Sequence, residues 1–309
     1  MKLLKTFLYI LTIAGIVVFL YFQRNDLMIL IKINPLLLSI LLGVSILTVF
    51  FNALIFKTNI SIFNIYLKFK IWFGLSASNS MYNYLLPMRG GMALRAIYLK
   101  NNHDFPYSKY LSYLSGYYIL NFAVAALLAL ITGFTLKLYT DINTMILVIS
   151  FLVFIFFLSF IFIGYKFDAE RIPQKNKILN FIKESIVGLK QFKKNKSKVG
   201  YIILLQVVFI LIMSVRLYLS YYALGIEIDF LKIILIQSFV VFSMVLSVTP
   251  GNIGIKEGII GLSASLFGLS LEEALLGAVL DRMIEMIIIF ILGGFYSKGL
   301  FKNFQLRKK

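Results

Sequence analysis

Two short stretches carry the residues best suited to chemistry. The first is Pro87-Met88-Arg89-Gly90-Gly91, leading to Arg95; the second is Pro250-Gly251-Asn252-Ile253-Gly254, leading to Lys256 and Glu257. Proline lacks the donor that continues a helix, and glycine permits sharp turns and close approach, so each stretch reads as a helix break. If a return helix starts near Gly91, its free N–H groups and positive dipole end point toward the break. Arg89 and Arg95 add guanidinium groups, and together these features make a cradle for phosphate or carboxylate. Arg95 can equally snorkel toward headgroups. The second stretch has a charged companion downstream, Asp281, Arg282 and Glu285.

Composition says what medium these residues occupy. The chain is 60% hydrophobic and only 14% charged, with a mean hydropathy of +0.91, whereas a soluble domain carries about 25% charged residues. Its apolar residues fall into runs that read as spans at about 5–22, 34–56, 107–132, 142–165, 199–220 and 272–296. The net charge of +18 comes from 31 Lys and Arg against 13 Asp and Glu. Those cations lie between apolar runs, which marks a cytoplasmic face and not a nucleic-acid surface. The joins at 57–70, 89–109 and 166–198 and the carboxyl tail are basic; those near 23–33, 133–141 and 221–231 are short and nearly balanced. Both termini are therefore expected inside, in the plasma membrane, with the first apolar run an uncleaved span because Tyr21-Phe22-Gln23-Arg24 offers no cleavage pattern. With no cysteine, disulfides and thiol chemistry are excluded. His103 is the sole histidine and is read as a surface residue; no metal or cofactor is expected.

The expected fold class is all-α: one polytopic membrane domain over 1–309, with about six spanning helices and two opposed re-entrant hairpins in an inverted repeat. The apolar pieces 71–86 and 232–249 run into the two breaks and are followed by short arms at about 92–100 and 256–267. An arm of 10 to 12 residues rises only about 15–18 Å, half the hydrocarbon thickness. A break at that depth must be buried in protein or line a wet cavity; the competing reading makes both breaks solvent-exposed turns. A shift of 163 positions carries Pro87 to Pro250 and Gly91 to Gly254. Regions 34–132 and 199–296 thus read as two copies of opposite topology. Between them, the basic loop 166–198 places Ile178, Ile182, Ile186 and Leu189 at helical spacing, an amphipathic helix lying in the interface.

Counting from Glu272, Asp281 sits about 13–14 Å into its span, near the midplane, where an isolated charge costs several kcal/mol. Asp281 and Glu285 share a helix face. The expected pairings are Arg282 with Glu285 in the helix, and Lys256 or Arg282 with Glu257 or Asp281 across helices. A structural ion cluster and a substrate- or proton-coupled gate are both open readings of this group. Arg216, near the end of its span, is read as snorkelling. Asn121 is read as a cross-helix hydrogen-bonding residue. Gly43, Gly116, Gly277, Gly293 and Gly294 are read as close-packing positions. Tyr82, Tyr84, Tyr113, Tyr117 and Tyr118 suit a headgroup portal or a membrane interface.

The runs Asn83-Tyr84-Leu85-Leu86-Pro87-Met88-Arg89-Gly90-Gly91 and Thr249-Pro250-Gly251-Asn252-Ile253-Gly254-Ile255-Lys256-Glu257 resemble motifs of one family over nearly the whole chain. It is the lysylphosphatidylglycerol synthase transmembrane region, also described as a flippase-like domain. Gly268-Leu269-Ser270, Glu273-Ala274 and Arg282 extend the second match. The resemblance implies translocation of a phospholipid or lipid-linked headgroup, with an anionic or aminoacylated phospholipid or a lipid-linked sugar as partner. An aminoacyltransferase domain like that of bifunctional relatives is not expected within these residues, and the common Gly-Gly-Glu continuation here reads Gly90-Gly91-Met92. Two other classes stay open: an intramembrane glycosyl- or acyl-transfer enzyme, and a nonenzymatic subunit docked on an envelope-synthesis enzyme. The sequence leaves the oligomeric state open.

Overall fold

The computed structural model describes residues 33–140, 145, 149–156, 177–246 and 249–302. The expected spans at 5–22 and 142–165, the start of the basic loop and the end of the carboxyl tail fall wholly or partly outside these residues. Among the described residues the chain is helical with no strand, in the order α1 (Pro35–Ser61), α2 (Phe69–Leu85), α3 (Gly90–His103), α4 (Tyr107–Lys137), α5 (Lys177–Lys194), α6 (Lys196–Ala223), α7 (Phe230–Phe242), α8 (Ile255–Ser265) and α9 (Leu271–Lys302). The protein is an all-α polytopic membrane protein. Helices α1, α4 and α6 each carry an apolar stretch long enough to cross a bilayer. At 27 to 32 residues, α1, α4, α6 and α9 are about 40–48 Å long, more than a hydrocarbon core of about 30 Å requires.

Local chemistry sets where the long helices begin. Asn34 caps α1 by accepting from the Leu36 N–H at 2.9 Å, and Pro35 follows at the first helical position. At α9 the Ser270 N–H donates to Glu273 Oε2 at 3.0 Å while the Glu273 N–H donates to Ser270 Oγ at 3.2 Å, a reciprocal capping box.

The four remaining helices of the core are short. Neither α2, with 17 residues, nor α8, with 11, reaches about 30 Å. Both breaks fall where expected, as tight turns at Pro87–Arg89 and Pro250–Asn252, and the two turns pack on each other. Each lies beside the middle of a long helix. Arg89 reaches Tyr118 in α4, and Tyr84, just before the first turn, packs on Phe290 in α9. The second turn needs glycine twice over: Gly251 has φ +61°, and a Cβ there would sit 2.3 Å from the Tyr84 ring.

Helix packing follows a rule of exchange. If α1, α2, α3 and α4 are replaced by α6, α7, α8 and α9, neighbours map onto neighbours: α2 packs on α9 as α7 packs on α4, and α1 on α2 as α6 on α7. The counterparts α1 and α6 run antiparallel. Ile55, late in α1, meets Leu205, early in α6, whereas Leu41 packs with Leu219 and Ala223 at the other end.

Helix α5 crosses the beginning of α4. Ser108 donates to Glu184, Phe192 lies against Gly116, and Phe192 also packs with Ile62, Leu120 and Ile202. Part of its apolar face is therefore taken by the bundle; Ile178, Ile182 and Ile186 have side chains outside the description. The glycine readings divide. Gly116, Gly277 and Gly293 are close-packed, whereas Gly43 and Gly294 have nothing within 4 Å among the described residues. At Gly293 a Cβ would meet Met81 Cβ at 2.6 Å and the Ala77 carbonyl at 2.9 Å, and backbone cannot step aside. Gly293→Leu should therefore lower stability in detergent by about 1–3 kcal/mol by splaying α2 from α9. Gly43→Ala should leave stability unchanged or raise it by up to about 1 kcal/mol. Thermal unfolding of the two variants beside wild type checks the contrast.

Candidate functional site

Behind the second break, α6, α8 and α9 bring two cations and two carboxylates together. Arg216 Nε donates to Asp281 Oδ1 at 2.7 Å, and its Nη2 reaches Asp281 Oδ2 at 3.1 Å and Glu285 Oε2 at 2.9 Å. Lys256 Nζ completes the lattice, 3.1 Å from Asp281 Oδ2 and 2.9 Å from Glu285 Oε2. Arg216 and Asp281 are each 1% exposed. The group is neutral, which is the condition for burying charge in a bundle surrounded by hydrocarbon. Helical geometry explains the sharing: Asp281 and Glu285 are one turn apart on one face, so a single cation can touch both.

A second ion pair holds the break itself. Arg282 pairs with Glu257, while its Nη1 donates to the Gly251 carbonyl at 2.9 Å and its Nη2 to the Asn252 carbonyl at 3.3 Å. Glu257 also accepts from the Gly254 N–H at 2.8 Å, capping α8. Asn252 Nδ2 donates to Ser243 Oγ at 2.8 Å. Backbone groups freed by the turn thus acquire partners inside the protein, as the absence of bulk water in the membrane demands.

The first break is built differently. Arg89 Nη1 donates to the Tyr118 hydroxyl at 2.8 Å. Arg95 Nη1 donates to the Tyr113 hydroxyl at 3.1 Å, its Nη2 lies 3.5 Å from Ser76 Oγ, and its guanidinium stands 4.1 Å over the Phe56 ring. Only 6% of Arg95 is exposed, yet its Nε has no hydrogen-bond partner. No carboxylate among the described residues forms an ion pair with either arginine. Nor does α3 have a side-chain cap at its start.

Between the two breaks lies a cavity of about 180 Å³, room for about six water molecules. Arg89, Arg95, Gly251, Asn252, Lys256 and Glu285 reach its wall. Asp281, Arg282 and Glu257 stand behind it as supports. Pro250 and Gly254 lie on the exposed side of the second turn, whereas Gly91 is buried against the Asn79 carbonyl, where a Cβ would come within 2.2 Å. Gly90 joins Arg89 to α3, and Pro87 opens the turn.

Several positions depart from expectation. Arg282 does not pair with Glu285, which Arg216 and Lys256 hold; the expected cross-helix pairings do form, Arg282 with Glu257 and Lys256 with Asp281. Arg216 does not snorkel; α6 continues seven residues past it to Ala223, and the side chain turns inward to Asp281. A lone arginine this near a helix end is open to either arrangement from sequence, and the packing of α9 against α6 decides it. Asn121 does make a cross-helix contact, with Nδ2 3.6 Å from Met244 Sδ. Of the tyrosines, Tyr84, Tyr113 and Tyr117 line the cavity. Asn79, Asn83 and Met92 line it as well and were not anticipated as wall residues.

Removing one member of the four-charge lattice leaves the others buried and unbalanced. Arg216→Met should destabilise the protein by about 3–5 kcal/mol. Adding Asp281→Leu should recover most of that loss, because Lys256 and Glu285 then remain as a neutral pair. Thermal unfolding of both single variants and the double variant makes the test; costs that simply add would show that Arg216 and Asp281 are not coupled.

The model of the family described as lysylphosphatidylglycerol synthase TM region matches residues 7–293 of the chain. Searches of curated proteins and of solved structures returned no match. With nearly its whole length matched, and with the two breaks and their charged followers in place, the chain belongs to the lysylphosphatidylglycerol synthase TM-region family.

Proposed function

We propose that the chain receives the headgroup of a membrane lipid in the chamber between its two breaks and moves it from one leaflet to the other. Family membership supplies the coarser half of this statement, a membrane protein with a lipid-related function. The observation that carries the finer half is Arg95, a buried guanidinium on a cavity wall with no carboxylate partner and one donor unused. A buried cation kept without a counter-ion is costly unless an anion visits it. Phosphate is the anion that every phospholipid and many lipid-linked sugars bring, and guanidinium matches it well.

The exchange rule in the packing supports reading 34–132 and 199–296 as an inverted repeat, with the hairpins entering from opposite sides and meeting at mid-depth. Rocking of one half against the other would then open the chamber to each leaflet in turn. The carboxylates are poor candidates for a transferase base on this reading. Asp281 and Glu285 each contact two cations, and Glu257 is engaged by Arg282 and by the cap of α8.

Reconstitution with fluorescent anionic, aminoacylated and sugar-linked lipids, followed by quenching from one side, measures transfer. Arg95→Ala should slow it by about tenfold to a hundredfold, the factor expected from about 1.5–3 kcal/mol of charge-assisted hydrogen bonding. Arg89→Ala should do less, because Arg89 is only half-buried. Undiminished transfer in both folded variants, or a chemically altered headgroup without transfer, would reject the proposal.

A further inference from the structure

We infer that the protein has a second binding site, apart from the chamber, which takes a zwitterion: a small group that joins an ammonium to a phosphate or carboxylate. It is a cleft of about 560 Å³ at the mouth of the second hairpin, lined by the end of α6, the start of α7 and the turn that follows α8. None of its lining residues belongs to the chamber wall.

The cleft forms where three helices end or begin without covering one another. Helix α6 stops at Ala223, and the chain turns through Gly225, at φ +71°, before Asp229 caps α7 by accepting from the Leu231 N–H at 2.7 Å. Helix α8 stops at Ser265, and Gly268 turns the chain toward α9 at φ +98°. A Cβ at either glycine would meet nothing within 4 Å among the described residues, so open space lies beside both turns. Lys232 clasps the two arms of the hairpin here, its Nζ donating to the Phe267 carbonyl at 3.4 Å.

Charge defines the occupant. Glu227, Asp229 and Lys232 line the cleft. Asp229 is committed, one oxygen to the cap of α7 and the other to the Tyr139 hydroxyl at 3.4 Å. Glu227 and Lys232 do not pair: among the described residues the Glu227 carboxylate has neither an ion pair nor a hydrogen bond, and Lys232 Nζ has the Phe267 carbonyl alone. A carboxylate and an ammonium that share a cleft without meeting keep both charges for a visitor. A ligand of one sign satisfies one of them and is repelled by the other, whereas a zwitterion satisfies both. Tyr218 and Tyr222 add ring surface and hydroxyls to the same wall, and Phe230 holds the Tyr218 ring edge-on at 5.6 Å between centroids. Aromatic surface favours the ammonium end.

Size and place fit this chemistry. The volume falls within the range of small-molecule sites, about 300–1,000 Å³. The cleft lies at the far end of α6 from its lysine-rich start at Lys196, the outer side on the expected topology. A phosphoethanolamine on a lipid presents the zwitterion at the membrane surface, and a free amino acid or betaine presents it in solution.

The test titrates the full chain in detergent, by saturation-transfer NMR, with glycerophosphoethanolamine and with its single-charge fragments, ethanolamine and dimethyl phosphate. The zwitterion should bind at least about tenfold more tightly than either fragment. Glu227→Gln and Lys232→Met should each weaken it by about tenfold, and added salt should weaken it too. Lys232→Met also removes the Phe267 contact; if that variant does not fold, Glu227→Gln decides, because its carboxylate holds nothing else. A second arm separates the sources, using native mass spectrometry of protein purified from membranes containing phosphatidylethanolamine. Retained phosphatidylethanolamine that Glu227→Gln releases assigns the site to a lipid headgroup; soluble zwitterion bound with no lipid retained assigns it to a solute. Fragments bound as well as the zwitterion, binding that Glu227→Gln leaves unchanged, or neither probe nor lipid bound would overturn the inference.

Discussion

Arg216, Lys256, Asp281 and Glu285 meet where hydrocarbon penalises any one of them alone by several kcal/mol, and that penalty dictates how α6, α8 and α9 can sit. Each carboxylate is shared by two cations contributed by different helices. No member can move far without exposing another as an unbalanced charge, so the lattice fixes three helices at one depth. Because α8 begins at the second break, the same lattice also fixes where that break lies. Arg282 and Glu257 extend the arrangement to the turn itself, where the guanidinium serves both the carboxylate and two free carbonyls.

From this follows an asymmetry between two halves that otherwise pack alike. The second break is closed electrostatically: neutral, capped, and tied by Asn252 to Ser243. The first break carries two arginines held by tyrosine hydroxyls, a serine contact and the face of Phe56. Phenol and aromatic faces stabilise a guanidinium without cancelling its charge. One half thus anchors the chamber, and the other gives it a sign. The contact between Tyr84 and Gly251 joins them, since the left-handed glycine lets the ring approach closer than any Cβ would permit.

The breaks were legible in the sequence because proline and glycine act on their own backbone, with no need of a distant partner. The short arms were legible for the same reason, although α3 runs from Gly90 to His103 and not from 92 to 100. Asn102 bonds back to the Tyr98 carbonyl at 3.0 Å, and the helix ends only where Asp104 takes φ 49°. The partner of Arg216 was not legible. Asp281 lies 65 positions away, and a lone arginine seven residues from a helix end fits snorkelling equally well until the neighbouring helix is known. The mistaken Arg282 to Glu285 pairing has a similar origin. Spacing of three residues makes the contact available, but only tertiary packing reveals that two other cations occupy that carboxylate. Asn79 escaped notice, and Asn83 entered only as part of the first motif, because they sit in an apolar helix whose inward face could not be assigned from periodicity alone.

The unequal treatment of the two breaks bears on what the chamber is for. Were stability the sole demand, the position of Met92, in the first turn of α3 beside the Arg89 to Tyr118 contact, would be a natural place for a carboxylate. Pairing there would remove the cost of a half-buried cation, as Glu257 does for Arg282 in the other half. Methionine instead leaves the charge uncancelled and fills the wall with a soft, neutral side chain. On the proposed reading, the missing counter-ion arrives with the lipid: its phosphate balances the arginines while bound and leaves them unbalanced when it departs. A site organised this way binds an anion without trapping it, because the tyrosine hydroxyls and the Phe56 face hold the guanidinium groups in place between visits.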